Sequence, residues 1–255
     1  MSHQNVLIVG ATRGLGKELA KQYHEAGHNV SGTARSETPD DSLGIRWITG
    51  VDISESQAGT TIVSGLRNER QDVVIVSAGY FPKESLDEPD FDKEVFTYKV
   101  CAIGPVFVVQ SLWKAGLLEK GSKVILVSSE AGSIALRHAS EGGGNFAHHG
   151  SKAALNMVGK LLSFDLKDAG VAVGLVHPAF MRTEMTAGVG FDKFWDEGGA
   201  VTPDESAKSL REWVETFDIS KTGTYWAPRG PGDIGTAEHV LGPKAKLSTP
   251  LQLPW

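Results

Sequence analysis

Residues 6–16 read VLIVGATRGLG. The four apolar residues at 6–9 predict a buried strand, and the turn that follows contains Gly10, Gly14 and Gly16 before a helical pattern begins. Glycines in such a turn let backbone N–H groups approach a pyrophosphate, and the N-terminus of the next helix adds the positive end of its dipole. The stretch therefore predicts a dinucleotide-binding turn, because it has the required strand–turn–helix context.

The rest of the chain alternates short apolar runs with helical patterns. Further strands are predicted near residues 29–33, 45–48, 73–76, 123–127 and 171–176. These runs are nearly all apolar, as expected for strands that are covered on both faces. Helices are predicted at 148–169 and from a Thr202 cap onward. The fold class predicted is α/β, a doubly wound parallel sheet with helices on both faces.

No linker divides the chain, so residues 1–255 are expected to form a single domain. A tail rich in glycine and proline covers residues 229–255. It ends with Leu251, Leu253 and Trp255, and we expect this apolar end to pack on its own body or on a second subunit.

Composition limits the kinds of partner. The formal charge of −6 argues against nucleic acid. The single cysteine, Cys101, fits a reducing compartment, and no apolar run is expected to approach the ~20 residues of a membrane span. We expect no signal peptide, no membrane, a cytoplasmic enzyme, and no metal, because no His, Cys or Asp cluster has metal-ligand spacing.

The end of the second strand indicates which dinucleotide binds. A cofactor without a 2′-phosphate is usually held there by an acidic residue, but residues 32–35 read GTAR. Arg13 and Arg35 are instead placed to meet a 2′-phosphate, which guanidinium groups bind well. The sequence therefore predicts NADP(H).

With these motifs, the chain resembles the short-chain dehydrogenase/reductase family over nearly its whole length, and most of all its C-factor/sniffer-like branch, including fungal members. The resemblance implies a Rossmann-type sheet and a homo-oligomer, a dimer or tetramer. It rests on the glycine turn, on motifs after the third, fourth and sixth strands, and on SKAALNM at 151–157. The cofactor-binding residues it implies are Gly10, Thr12, Arg13, Gly14, Leu15, Gly16, Arg35, Asp52, Ile53, Ala78, Gly79, Lys152, Pro178 and Thr183.

The resemblance also implies a catalytic set, from which this chain departs. The family uses a Tyr-x-x-x-Lys pair, a Ser at the end of the fifth strand and an upstream Asn. Ser129 and Lys152 match, but His148 stands at the Tyr position and Cys101 at the Asn position. The catalytic residues predicted are Ser129, His148 and Lys152, with extra chain at 140–145 expected to form a flexible loop near the mouth of the site.

Three roles remain open for His148. It can act as a general acid, with a neighbouring Lys152 that favours the neutral ring. Alternatively the substrate is an imine or iminium, since hydride addition to an iminium carbon needs no proton. In the third interpretation His148 is a polar pocket residue of an inactive or non-redox relative.

In the resembled family, residues 183–201 form a substrate lid. Here they contain Phe191, Phe194 and Trp195 among glycines, which suits a bulky apolar substrate, although these aromatics also suit ordinary core contacts. The function predicted is NADPH-dependent reduction of a carbonyl or imine/iminium group of a bulky small molecule, in a biosynthetic pathway. The alternative is a non-redox isomerase, cyclase or ligand binder that retains the cofactor site.

Overall fold

The computed structural model describes residues 3–36 and 41–255. One eight-stranded sheet crosses the molecule in the order β3-β2-β1-β4-β5-β6-β7-β8. The strands are β1 Asn5–Val9, β2 Asn29–Thr33, β3 Arg46–Ile48, β4 Val73–Val76, β5 Lys123–Val127, β6 Ala172–Val176, β7 Thr224–Ala227 and β8 Leu251–Gln252. Strands β1 to β7 pair in parallel, and β8 pairs antiparallel with β7. The predicted α/β doubly wound sheet is confirmed.

Helices cover both faces of this sheet. They are α1 Gly14–Glu25, α2 Ala58–Gly65, α3 Phe91–Tyr98, α4 Gly104–Lys114, α5 Phe146–Lys167, α6 Glu184–Gly188, α7 Pro203–Thr216 and α8 Ala237–Val240. A short π-helix, Lys99–Ile103, joins α3 to α4. The predicted start of α7 is confirmed, because the Thr202 hydroxyl accepts the Glu205 N–H and Pro203 takes the first helical position.

Successive residues of each central strand enter opposite cores. In β1, Leu7 and Val9 face the layer of α2, α4 and α5, whereas Val6 and Ile8 face the layer of α1 and α7. Because the strand is buried on both faces, its sequence reads as a continuous apolar run rather than as an alternating one.

Strands β7 and β8 were not predicted from the sequence. β8 lies within the tail at 229–255, where Leu251 and Leu253 are buried against the chain's own body. Trp255 remains 42% exposed, with its ring stacked on Tyr225 at 5.8 Å. The apolar end of the tail thus packs largely on its own domain.

The continuous helical segment at 91–114 is long and apolar enough to cross a membrane by length and composition, contrary to the expectation from the sequence. Half of its most apolar stretch is buried inside the fold. Val108, Val109 and Leu112 belong to the core that covers the sheet. A single helix of this kind is weak evidence for a membrane, because a core helix passes the same test.

Gly16 provides a test of how closely α1 packs on the glycine turn. A Cβ at this position would lie 1.9 Å from the carbonyl oxygen of Gly10, which is backbone and cannot turn aside. We expect Gly16→Ala to lower the free energy of unfolding by about 1–3 kcal/mol in urea titrations. Gly232→Ala, where nothing lies within 4 Å, is the control. Equal stability of the two variants would contradict this packing.

Candidate active site

A cavity of about 1710 Å³ opens at the carboxyl ends of β1, β4, β5 and β6. Pockets that bind one drug-sized ligand measure roughly 300–1,000 Å³, so this cleft has room for more than one small molecule. Every site residue predicted from the sequence lines it except Gly16. Gly16 instead lies behind the turn, against the Gly10 carbonyl, and serves the packing of α1.

The glycine turn brings two strand ends into close contact. Gly10 has φ +89, and a Cβ there would lie 2.8 Å from the backbone of Ala78, the second residue after β4. Its N–H donates to the Thr33 hydroxyl at 2.9 Å. A larger residue at 10 would force β1 and β4 apart at the point where the cavity begins. The turn therefore forms a cradle of bare backbone at the end of the sheet.

The two arginines predicted to meet a 2′-phosphate both line the cavity, but in different states. Arg13 pairs with Glu184, with 3.3 Å between Nη1 and Oε2. Arg35 is exposed and makes no ion pair within the part of the chain that the structure describes. Asp52 also lines the cavity, and its carboxylate accepts hydrogen bonds from the Ser54 N–H at 2.9 Å and from the Ser54 hydroxyl at 2.7 Å.

The end of β5 is fixed directly to α5. Ser128 donates its hydroxyl to Asn156 Oδ1 at 2.6 Å, and Asn156 Nδ2 donates to the Gly132 carbonyl at 3.1 Å. A Cβ on Gly132 would lie 2.6 Å from the backbone carbon of Lys152, so the turn and the helix are in backbone contact. This arrangement holds Ser129, which lies inside the same turn, at a fixed position relative to α5.

His148 and Lys152 lie one helical turn apart on α5 and both line the cavity. Lys152 is 7% exposed, and its Nζ donates to the carbonyl of Val127 at 2.8 Å. The ammonium is therefore anchored at the end of β5, beside the position of Ser129.

The His148 ring stacks on Phe81, with 4.0 Å between ring centroids and 22° between planes. Burial, followed by the charge of Lys152, holds the pKa of His148 well below its usual value. Its buried Nδ1 has no hydrogen-bond partner among residues 3–36 and 41–255. The lowered pKa favours the uncharged form of the His148 ring, which makes it a poor proton donor.

The loop after β4 positions the start of α5. Asn145 takes the left-handed conformation, φ 51, and provides no side-chain cap. Glu84 replaces it: its carboxylate accepts the Ala147 N–H, and its carbonyl accepts the Asn145 N–H at 3.2 Å. Since the same loop carries Phe81, one segment both caps α5 and supplies the ring against His148.

Several groups of the site were not predicted from the sequence. Burial raises the pKa of Glu130, the neighbour of Ser129, to about 7, although the Arg137 guanidinium opposes this shift. Burial lowers the pKa of His177 to about 4. His177 accepts the Glu130 N–H at 3.0 Å and lies 3.2 Å from the Asp233 carbonyl, so it joins the turn after β5 to the C-terminal segment. The sequence did not predict these roles, because they depend on burial.

The predicted lid lies against the cavity. Phe191 and Phe194 line it, and Phe191 meets Phe81 edge to face at 5.6 Å. Trp195 lies outside the lining and donates its Nε1 proton to the Thr186 hydroxyl at 3.3 Å. The glycines at 142–144, within the extra loop expected at 140–145, also line the cavity.

Comparison with known proteins gives a consistent result. The family model described as short chain dehydrogenase matches residues 4–193. The chain is 27% identical to 1-hydroxy-2-glutathionyl-2-methyl-3-butene dehydrogenase of Rhodococcus sp. (strain AD45), over 86% of this chain and 94% of the relative. It is 34% identical to the C-signal protein of Myxococcus xanthus over 40% of this chain and 59% of the relative.

A solved structure gives the same fold. It is a short-chain dehydrogenase/reductase of Burkholderia multivorans with bound NADP, whose function is assigned only by resemblance. The two chains are 27% identical with a TM-score of 0.72, over 89% of this chain and 97% of the other.

Glu130 makes stability depend on pH in a direction that can be checked. Its folded pKa of about 7 lies above the ordinary value of 4.5, so the folded state holds this proton more tightly than the unfolded state. The resulting stabilisation is complete below pH 4.5 and is lost as the pH rises through 7. We expect the stability difference between wild type and Glu130→Gln to shrink by about 1–3 kcal/mol across that window in urea titrations.

Glu88→Gln, in the exposed loop before α3, controls for the loss of one carboxyl group. A difference between wild type and Glu130→Gln that stays constant over this pH range would contradict the assignment.

Proposed function

This chain belongs to the short-chain dehydrogenase family of oxidoreductases, and we propose that it uses NADPH to reduce a C=O or C=N group of a bulky small molecule. The observation that carries the proposal is the position of His148, whose ring lines the cavity one helical turn before Lys152 and stacks on Phe81. We place the reaction in the cytoplasm, in a biosynthetic pathway, and treat residues 1–255 as one catalytic domain.

The cavity fits a dinucleotide with a 2′-phosphate. The bare turn at residues 10–16 would hold the pyrophosphate, and Arg13 and Arg35 the 2′-phosphate. Asp52 and Ile53 would meet the adenine, and Lys152 the nicotinamide ribose. The remaining contacts would come from Ala78, Gly79, Pro178 and Thr183. NADP in the Burkholderia multivorans structure supports this choice, and the cofactor would supply the hydride.

In this proposal we assign His148, four residues before Lys152 on α5, to the position of the family's tyrosine. Cys101 occupies that of the family's asparagine, in the π-helix that joins α3 to α4, with its sulfur 3.6 Å from the Tyr80 carbonyl. Ser129 and Lys152 retain their positions. Cys101 is buried, in agreement with a filling rather than a nucleophilic role. In this assignment the site keeps the groups that orient reactants and has an imidazole at position 148 in place of a phenol.

The charge state of His148 bears on the substrate. A ketone that accepts hydride becomes an alkoxide and must take up a proton, whereas an iminium becomes a neutral amine without one. Because burial lowers the pKa of His148, the ring is a poor proton donor. Of the two substrate classes, the site therefore favours a C=N group that arrives as an iminium ion, with the ring as a hydrogen-bonding and stacking surface.

The walls of the cavity suit a bulky, apolar molecule. Phe81, Phe180, Phe191 and Phe194 line one region and contact one another edge to face or through the stack with His148. Aromatic surfaces of this kind bind large apolar groups and exclude water when a lid closes. We assign the lid role to residues 183–201.

We also propose a homo-oligomer, a dimer or tetramer. Helix α5 presents Met157, Leu161 and Phe164 on one face, and the side chains of Met157 and Phe164 are each 60% exposed. The neighbouring helix α4 exposes Phe107 and Trp113. An apolar surface of this extent is unusual on a monomer, and a second copy of the chain would cover it.

The role of His148 is tested by stopped-flow loss of NADPH absorbance with a ketone and an iminium of matched skeleton. We expect wild type to reduce the iminium faster, and His148→Ala to keep that rate within about tenfold, since no proton is required. His148→Tyr should raise ketone reduction by about 100-fold, because it supplies a hydroxyl beside Lys152.

Loss of iminium reduction in His148→Ala would show that the ring is essential and contradict this role. If NADPH binds tightly but no C=O or C=N compound oxidises it, the non-redox alternative replaces the proposal.

Oligomerisation is tested by sedimentation velocity at micromolar concentration. We expect wild type to sediment as a dimer or tetramer and Phe164→Glu to sediment as a smaller species, because a charge would enter the apolar face. Ser64→Glu, on the exposed side of α2, is the control. A monomeric wild type would refute the assembly.

A further inference from the structure

An ion pair crosses the cleft between the glycine turn and the lid. Arg13 immediately precedes α1, and Glu184 is the first residue of α6, 171 positions later in the chain. The guanidinium and the carboxylate are 3.3 Å apart, and both residues line the cavity. The lid also touches the turn itself, since Thr183 Cγ2 would lie 3.7 Å from a Cβ on Gly14.

We propose that Glu184 is a specificity-determining residue: it competes with the cofactor's 2′-phosphate for Arg13 and thereby sets how strongly the site prefers NADP(H) to NAD(H). The inference rests on the proposed function, in which Arg13 and Arg35 hold that phosphate.

The competition follows from the charges on the two sides of the cleft. A guanidinium bonded to one anion has fewer N–H donors for a second, and the carboxylate and the phosphate repel each other. The 2′-phosphate of NADP(H) must therefore displace Glu184 from Arg13 or share Arg13 with it, whereas NAD(H) brings no phosphate to this point. Arg35 makes no ion pair among the residues described, so the competition acts at Arg13.

The size of the effect follows from exposure. The side chains of Arg13 and Glu184 are 61% and 79% exposed, so water and salt screen the pair. Exposed pairs of this kind change an equilibrium by at most about fivefold. When Glu184 pairs with Arg13 again, it also favours release of the oxidised cofactor, a step that a reductase must complete in every turnover.

The lid contains a matched control. Asp196 pairs with Arg182 at 2.8 Å and is 91% exposed, so it places the same charge on the lid with a different arginine. Asp196→Asn removes a lid carboxylate without touching Arg13.

The test is fluorescence titration of NADPH and of NADH at low salt, with stopped-flow dissociation of NADPH, none of which requires turnover. We expect Glu184→Gln to bind NADPH about threefold to fivefold more tightly and to release it more slowly, with NADH affinity unchanged. Asp196→Asn should match wild type for both cofactors. The effect of Glu184→Gln should disappear in the Arg13→Ala background and shrink at about 0.5 M salt.

Identical NADPH affinities of wild type and Glu184→Gln would overturn the inference. So would weaker binding of both cofactors, which would mean that the ion pair clamps the cofactor rather than competes with it. Persistence of the effect in the Arg13→Ala background would overturn it as well. A wild type that binds NADPH and NADH equally would refute the proposed cofactor, and the inference with it.

Discussion

The candidate site depends on the backbone contact between the turn after β5 and helix α5. Gly132 lets the turn approach Lys152, and the Ser128–Asn156 hydrogen bond fixes the register of that approach. Because Ser129 belongs to the turn and His148 belongs to the helix, one contact determines how the predicted catalytic groups face each other. A side chain at 132 would separate strand from helix and change every distance across the cleft. Packing and chemistry therefore share the same atoms.

Much of the framework could be predicted from residues near one another in the sequence. The glycine turn, six parallel strands and the start of α7 have strong local signals: apolar runs, glycines and a Thr-Pro cap. Strands β7 and β8 were not predicted. The run TYWA is partly polar and β8 has only two residues, so each becomes a strand only by pairing with the rest of the sheet. The residue pattern therefore predicts the architecture, whereas the β7–β8 edge of the sheet depends on tertiary contacts.

The site divides in the same way. Ser129, Lys152 and the cofactor residues lie at strand ends and on one helix face, so their positions together with the family resemblance place them around one cleft. The Arg13–Glu184 pair joins residues 171 positions apart, and the pKa of Glu130 depends on burial by several loops. No local pattern encodes such relations. The sequence therefore predicts which groups surround the cleft more readily than it predicts their partners and charge.

The loop after β4 has a consequence for how this site can change over time. Phe81 packs against the imidazole while Glu84 caps the same helix, so positions 81, 84 and 148 form one mechanical unit. An evolutionary path or an engineering effort that exchanges the residue at 148 keeps the contact with Phe81, 4.0 Å away between ring centroids, only if the new side chain also presents a flat ring. Exchanges that keep a ring at 148 therefore leave the loop in place, whereas recombination that separates the loop from the helix breaks the contact.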